Sequence, residues 1–259
     1  MNWQNRPRSK FGALAAIRTG EGSPLVLLHG VGLRAEAWSA QIDALAGRFA
    51  VTAADMPGHG ESALFDDPPT LADYSDRVAE ALDEPVFLAG HSMGAMIALD
   101  LAIRYPERVC AVAALNAIYR RSAEAAEAVR QRAASLDRVS VADPAGPLAR
   151  WFGEVESPEA TACRDWLTEV SLSGYRAAYT AFAREDGPSD VGLRGLHCPA
   201  LFLTGSMDPN STPAMSEAMA AMAPKGRAIV IEGAAHMMPM THPAQVDGAL
   251  LDFFEGCDR

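Results

Sequence analysis

Hydrophobic positions in this chain gather into short unbroken runs spaced along its length. Leu25-Val26-Leu27-Leu28, Ala50-Val51-Thr52-Ala53-Ala54, Pro85-Val86-Phe87-Leu88-Ala89, residues 109–115, Pro199-Ala200-Leu201-Phe202-Leu203-Thr204 and Ala228-Ile229-Val230-Ile231 read as strands buried on both faces. Between them apolar residues recur at helical spacing, over 35–46, 70–82, from 95 to about Tyr105-Pro106, 213–222 and 243–254. Thr70 stands as an N-cap, with Asp73 placed to complete a capping box. Residues 11–18 add one further strand. This alternation predicts an α/β fold with a mostly parallel central sheet flanked by helices.

The rhythm breaks between Asn116 and Pro188. That stretch is rich in Ala, Arg and Glu, is punctuated by Asp143-Pro144-Ala145-Gly146-Pro147, and reads as several helices with no strand. Residues 1–115 and 189–259 are therefore expected to form the α/β core. Residues 116–188 are expected to be inserted as a helical lid, or cap, over the edge where the strands end.

Charge narrows the partners. With 259 residues and a formal net charge of −11, the chain gains nothing from the phosphate field of nucleic acid, so a DNA or RNA role is excluded as an expectation. No segment approaches the roughly 20 apolar residues that cross a bilayer, and Met1–Arg8 lacks the apolar centre of a signal peptide. Cys110, Cys163, Cys198 and Cys257 form no Cys-x-x-Cys pair and no zinc spacing. The expectation is a cytoplasmic protein with free thiols, a small-molecule substrate and no cofactor or metal. The sequence carries no signal of oligomeric state.

The chemistry concentrates where strands end. In an open parallel sheet, functional groups gather beyond the carboxyl ends of the strands. Four such ends carry distinctive groups: His29-Gly30-Val31-Gly32, Gly90-His91-Ser92-Met93-Gly94, Gly205-Ser206-Met207-Asp208-Pro209 and Gly233-Ala234-Ala235-His236. The second is a serine between two glycines at a strand-to-helix junction, the pattern of a nucleophile elbow. The turn is so tight that a Cβ on either flank would collide with backbone. It also puts the hydroxyl at a helix N-terminus, where the dipole favours developing negative charge.

Serine, then aspartate, then histidine is the chain order of the α/β-hydrolases, which this chain resembles over nearly its whole length. The loop Asp55-Met56-Pro57-Gly58-His59-Gly60-Glu61-Ser62 adds to the likeness. Within that superfamily it is most similar to the small bacterial esterase, 3-oxoadipate enol-lactonase and carbon–carbon bond hydrolase group. The resemblance implies Ser92 as nucleophile, His236 as its base and Asp208 as the acid that orients the imidazole. It implies an oxyanion hole from the backbone N–H groups of Val31 and Met93. The rival position for the acid, after the strand 109–115, offers Asn116 and no carboxylate. A haloalkane dehalogenase would carry aspartate where Ser92 stands.

The remaining histidines read as structural. His29 braces the oxyanion loop, His59 lies in the glycine-rich loop, His91 faces away from the nucleophile, and His242 starts the last helix at the surface. Leu33, Arg34, Trp38 and Met237 flank the reactive loops and are expected to contact substrate, with Trp151 and Tyr175 from the lid. Lid aromatics at helical spacing also fit simple core packing. Arg34, Arg120 or Arg121 is a candidate anchor for a substrate carboxylate, the alternative being a solvated surface arginine. The expected reaction is hydrolysis of a small carboxylic ester or lactone through an acyl-enzyme. Carbon–carbon, amide or thioester cleavage and acyl transfer use the same machinery and stay open. A non-catalytic small-molecule receptor is the third class, against which the intact elbow and triad argue.

Overall fold

The computed structural model describes residues 3–136 and 143–257. Residues 1, 2, 137–142, 258 and 259, parts of the two ends of the expected core and of the expected lid, lie outside the described residues. The chain begins with β1 (Ser9–Phe11), β2 (Leu14–Thr19) and β3 (Ser23–Leu28). A 3-10 turn at Ala35–Trp38 leads into α1 (Ser39–Leu45), then β4 (Phe49–Ala54), α2 (Leu71–Ala79), β5 (Val86–His91), α3 (Met93–Arg104) and β6 (Val109–Leu115). Next come α4 (Ala123–Ser135), α5 (Ala145–Phe152), α6 (Pro158–Glu169), α7 (Leu172–Ala183) and the short α8 (Asp190–Arg194). The chain then returns through β7 (Ala200–Gly205), α9 (Pro213–Met222), β8 (Gly226–Ile231), the short α10 (Met238–Thr241) and α11 (Pro243–Glu255).

The eight strands form one sheet in the order β1-β2-β4-β3-β5-β6-β7-β8. From β4 to β8 every pairing is parallel, as the continuous apolar runs predict. The first strands differ from expectation. Residues 11–18 are two strands, an antiparallel hairpin turned at Gly12 (φ +57°), and β2 also runs antiparallel to β4. A left-handed glycine allows the tight reversal, and a hydrophobic-run reading alone passes over it.

Alternate side chains of each strand go to opposite layers. Leu25 and Leu27 of β3 pack with Trp38, Ile42 and Phe254 on one face. Val26 and Leu28 pack with Tyr74 and Met96 on the other. The predicted capping box at Thr70 and Asp73 is formed, with the Thr70 N–H donating to Asp73 at 2.7 Å. A smaller cluster joins Leu33, Met237 and Met240 to Trp166, Leu167 and Tyr175, so α6 and α7 rest on the loops that follow β3 and β8.

A buried ionic cluster pins those loops from below. The Arg8 guanidinium donates to Glu36 at 2.6 Å and to Asp55 at 2.7 Å, and all three side chains are almost fully buried. Asp55 also accepts the N–H groups of Ala35 and Glu61, tying the segment after β3 to the loop after β4. Burial would push both carboxyls up, but the Arg8 hydrogen bonds outweigh it and hold Glu36 and Asp55 below their ordinary values. Removing one member of such a cluster leaves unpaired buried charge. Arg8→Ala is expected to lower unfolding stability by about 3–5 kcal/mol, read as a lower urea midpoint at unchanged slope. An unchanged midpoint would show that the cluster carries no net structural role.

Candidate active site

Ser92 sits between β5 and α3 at φ 57° and ψ −117°, a strained conformation for a residue with a side chain. Its neighbours explain how the turn closes. A Cβ on Gly90 would lie 2.0 Å from the Gly94 carbonyl oxygen, and one on Gly94 would lie 2.1 Å from that of Leu28. The Ser92 N–H donates to the Leu115 carbonyl at 2.8 Å, fastening the turn to the end of β6.

The loops after β7 and β8 bring Asp208 and His236 to the same place. The His236 Nδ1–H donates to Asp208 Oδ2 at 2.7 Å, and His236 Nε2 lies 3.2 Å from the Ser92 hydroxyl. Asp208 is buried and collects further donors: the Asn210 and Ser211 N–H groups on one oxygen and the Asn116 amide, at 2.8 Å, on the other. Burial alone would push this carboxyl up. The His236 charge and hydrogen bond, with the Asn210 N–H and the Asn116 amide, outweigh it and hold Asp208 at about 2. The carboxylate therefore stays ionised across the neutral range and fixes a single imidazole tautomer.

The loop after β3 faces Ser92, with Gly30 so close that a Cβ there would lie 3.1 Å from that of Ser92. Histidines hold this loop. His29 donates from Nδ1 to the Gly30 carbonyl and accepts the Met56 N–H, while His59 Nε2 accepts the Gly32 N–H at 3.0 Å. Among the described residues, no hydrogen bond outside the helices and strands uses the N–H of Val31 or Met93. Met93 is the first residue of α3, where a helix leaves its N–H groups without intrahelical partners.

A cavity of about 600 Å³ opens over Ser92 and His236. Leu33, Trp151 and Tyr175 line it, and the Trp151 ring stacks on His236 at 6.4 Å. Arg34, Trp38 and Met237, grouped with them in the sequence reading, do not line it. Arg34 turns to Glu36 and Glu169 beside a neighbouring groove. Trp38 lies under His91, edge-on at 6.4 Å, and Met237 is sealed between the loop after β8 and α6. Adjacency to a reactive loop in sequence does not decide which face of the loop a side chain takes.

Other residues enter that the sequence reading did not assign. Asn116 supports Asp208 from a left-handed position (φ 51°); its signal was a polar residue closing an otherwise apolar strand. His91 does not simply turn away: it lines the cavity and donates from Nε2 to the His236 carbonyl at 2.8 Å. His242 stands at the N-terminal boundary of α11 without a side-chain capping bond and is half-buried rather than exposed. Arg132 and Arg150 line the cavity and gave no signal beyond their charge.

The sheet order, the strained serine at a strand-to-helix turn and the serine, histidine and aspartate contacts define an α/β-fold hydrolase. The chain belongs to the alpha/beta hydrolase family, whose model matches residues 25–249. It is 43% identical to the (E)-2-((N-methylformamido)methylene)succinate hydrolase of Acinetobacter baylyi, over 91% of this chain and 92% of that one. It is 28% identical to the pimeloyl-[acyl-carrier protein] methyl ester esterase of Aeromonas hydrophila, over 90% of this chain and 96% of that one. Among solved structures, the Thermogutta terrifontis esterase superposes with a TM-score of 0.85 at 29% identity, covering 96% of this chain and 98% of that one. No helix among the described residues is long and apolar enough to cross a membrane.

Burial around the site has a cost in acid. Burial, with the His29 charge for His59 and the His236 charge for His91, holds both imidazoles at about 3. Unfolded, each takes a proton near pH 6.5. Between those values the unfolded chain binds protons that the folded chain refuses. Their contribution is therefore complete above about pH 6.5 and is lost as pH falls toward 3, at about 1.4 kcal/mol per pH unit for each histidine. Urea titrations between pH 7 and 5 are expected to show this slope, and His91→Asn to remove one share of it. A pH-independent midpoint across that range would contradict the assignment.

Proposed function

We propose that the protein hydrolyses a small acyl compound through a covalent acyl-enzyme on Ser92. The observation that carries this reading is the continuous contact from Asp208 through His236 to the Ser92 hydroxyl. His236 takes the hydroxyl proton as Ser92 attacks the carbonyl carbon. The N–H groups of Val31 and Met93, free of other partners in the loops, receive the developing oxyanion. His236 then returns the proton to the departing alcohol or amine, and water, deprotonated by the same imidazole, releases the acid. Residues 116–188 act as a cap on a core made of 1–115 and 189–259, closing the cavity above the nucleophile with Leu33, Trp151 and Tyr175 around the substrate.

A small carboxylic ester or lactone suits this arrangement. A second reading, cleavage of an amide-type bond, is favoured by the 43% identity to a hydrolase named for a formamido-bearing succinate. The triad serves either bond, because both pass through a tetrahedral oxyanion. Turnover on a panel of activated esters, lactones and N-acyl enamines separates the two, and product analysis with added alcohol separates hydrolysis from acyl transfer. Ser92→Ala is expected to abolish fluorophosphonate labelling and to cut kcat by about 10⁵ or more, and Asp208→Asn to cut it by about 10⁴ through loss of the imidazole tautomer. Retained turnover and labelling in Ser92→Ala would sink the acyl-enzyme.

A further inference from the structure

Among the described residues, the cavity over Ser92 is lined by Arg120, Arg121, Arg132 and Arg150 and by no aspartate or glutamate. That is a marked local reversal in a chain of net charge −11. The four are not equivalent. Arg120 is paired with Asp190, and its charge is already answered. Arg132 and Arg150 have no carboxylate within ion-pair distance among the described residues; Arg132 donates from Nε to the Tyr179 hydroxyl at 3.1 Å. Arg121 is the most enclosed. Its side chain is 4% exposed, its guanidinium lies 4.5 Å over the Phe182 ring, and Nη2 donates to the Phe182 carbonyl. Its Nη1 makes no hydrogen bond, and its nearest acid, the half-exposed Asp186, stands off at 3.7 Å.

Burial, together with the neighbouring Arg132 charge, acts to lower the Arg121 pKa from its ordinary value, although Asp186 opposes it. Arg132 and Arg150 face one cavity without a matching carboxylate among the described residues, which leaves donors and charge unanswered, an arrangement that a bound anion relieves. Water alone satisfies donors but not charge. We propose that Arg121, Arg132 and Arg150 form an anion subsite, and that the substrate carries a free carboxylate besides the acyl group that Ser92 attacks. Placed on the acyl side of the scissile bond, that carboxylate makes the substrate class a monoester or monoamide of a small dicarboxylic acid. Arg34 and Arg120 fall outside the subsite, because Glu36 and Asp190 already hold them. The inference deepens the acyl-enzyme reading and rests on it.

The test compares a neutral ester, p-nitrophenyl butyrate, with its anionic counterpart, mono-p-nitrophenyl glutarate. The parent protein is expected to favour the anionic ester in kcat/KM by about 100-fold, mostly through KM, since each charge-assisted contact contributes about ten-fold or more. Arg132→Gln and Arg150→Gln are each expected to collapse that ratio by about ten-fold, and Arg120→Gln to leave the ratio within about two-fold. Arg121→Gln removes a buried charge and is read only alongside its circular dichroism; the Arg132 and Arg150 variants keep the test intact if it does not fold. Calorimetric binding of glutarate to the Ser92→Ala protein reads the subsite without chemistry. Binding that Arg132→Gln weakens supports the subsite even if the acyl-enzyme reading fails. Equal turnover of the two esters, or glutarate binding that is absent or indifferent to Arg132 and Arg150, overturns the proposal.

Discussion

A single buried carboxylate, that of Asp208, organises the rim of the sheet. An ionised group taken out of water is costly unless its lone pairs are filled. Asp208 meets that requirement by drawing in the loops after three adjacent strands: its own after β7, Asn116 after β6 and His236 after β8. Ser211 closes the ring by donating its hydroxyl to the Asn116 carbonyl. The parallel registers of β6, β7 and β8 bring these strand ends level, so contacts between residues as far apart in the chain as Asn116 and Asp208 become local. Electrostatic need and sheet geometry therefore select the same arrangement.

The opposite side of Ser92 is held by a different device with the same logic. Arg8 and Arg34 balance the charges of Glu36 and Asp55 beneath the loops after β3 and β4, and His29 and His59 join those loops above. Ser92 stands between two rigid walls, each fixed by charge rather than by packing alone. That rigidity is what a strained residue requires, because backbone strain persists only where the surroundings over-determine it. The glycines at 90 and 94 complete the constraint by letting α3 and β3 approach at distances no side chain tolerates.

Much of this was legible in the sequence because it depends on local pattern. The unbroken apolar run of β6 gave its limits, as did the Pro-initiated stretch of α9. The serine between glycines, and the acid and histidine at later strand ends, are equally local signals. What escaped depends on tertiary contact. The turn at Gly12 splits one apolar stretch into a hairpin, and α8 and α10 are too short to show a periodicity. Arg34, Trp38 and Met237 neighbour reactive loops but face elsewhere: apolar clusters bury Trp38 and Met237, and ion pairs with Glu36 and Glu169 turn Arg34 aside. Asn116 was noticed only as a missing carboxylate, whereas its amide supplies a donor that a carboxylate there would replace with repulsion.

The distribution of charge follows from these assignments. A net charge of −11 spread over the outside keeps like molecules apart but also repels an anionic solute. Arginines concentrated in one concave, partly desolvated region reverse the sign locally, where a low-dielectric wall strengthens their field most. Arg121 and Arg132 come from the segment after β6 and from α4, while Ser92, His236 and Asp208 come from the strand ends of the sheet. The groups proposed to select charge and those proposed to make bonds thus reside on different elements. The first can change by substitution in the helical segment without disturbing the buried carboxylate on which the second depends.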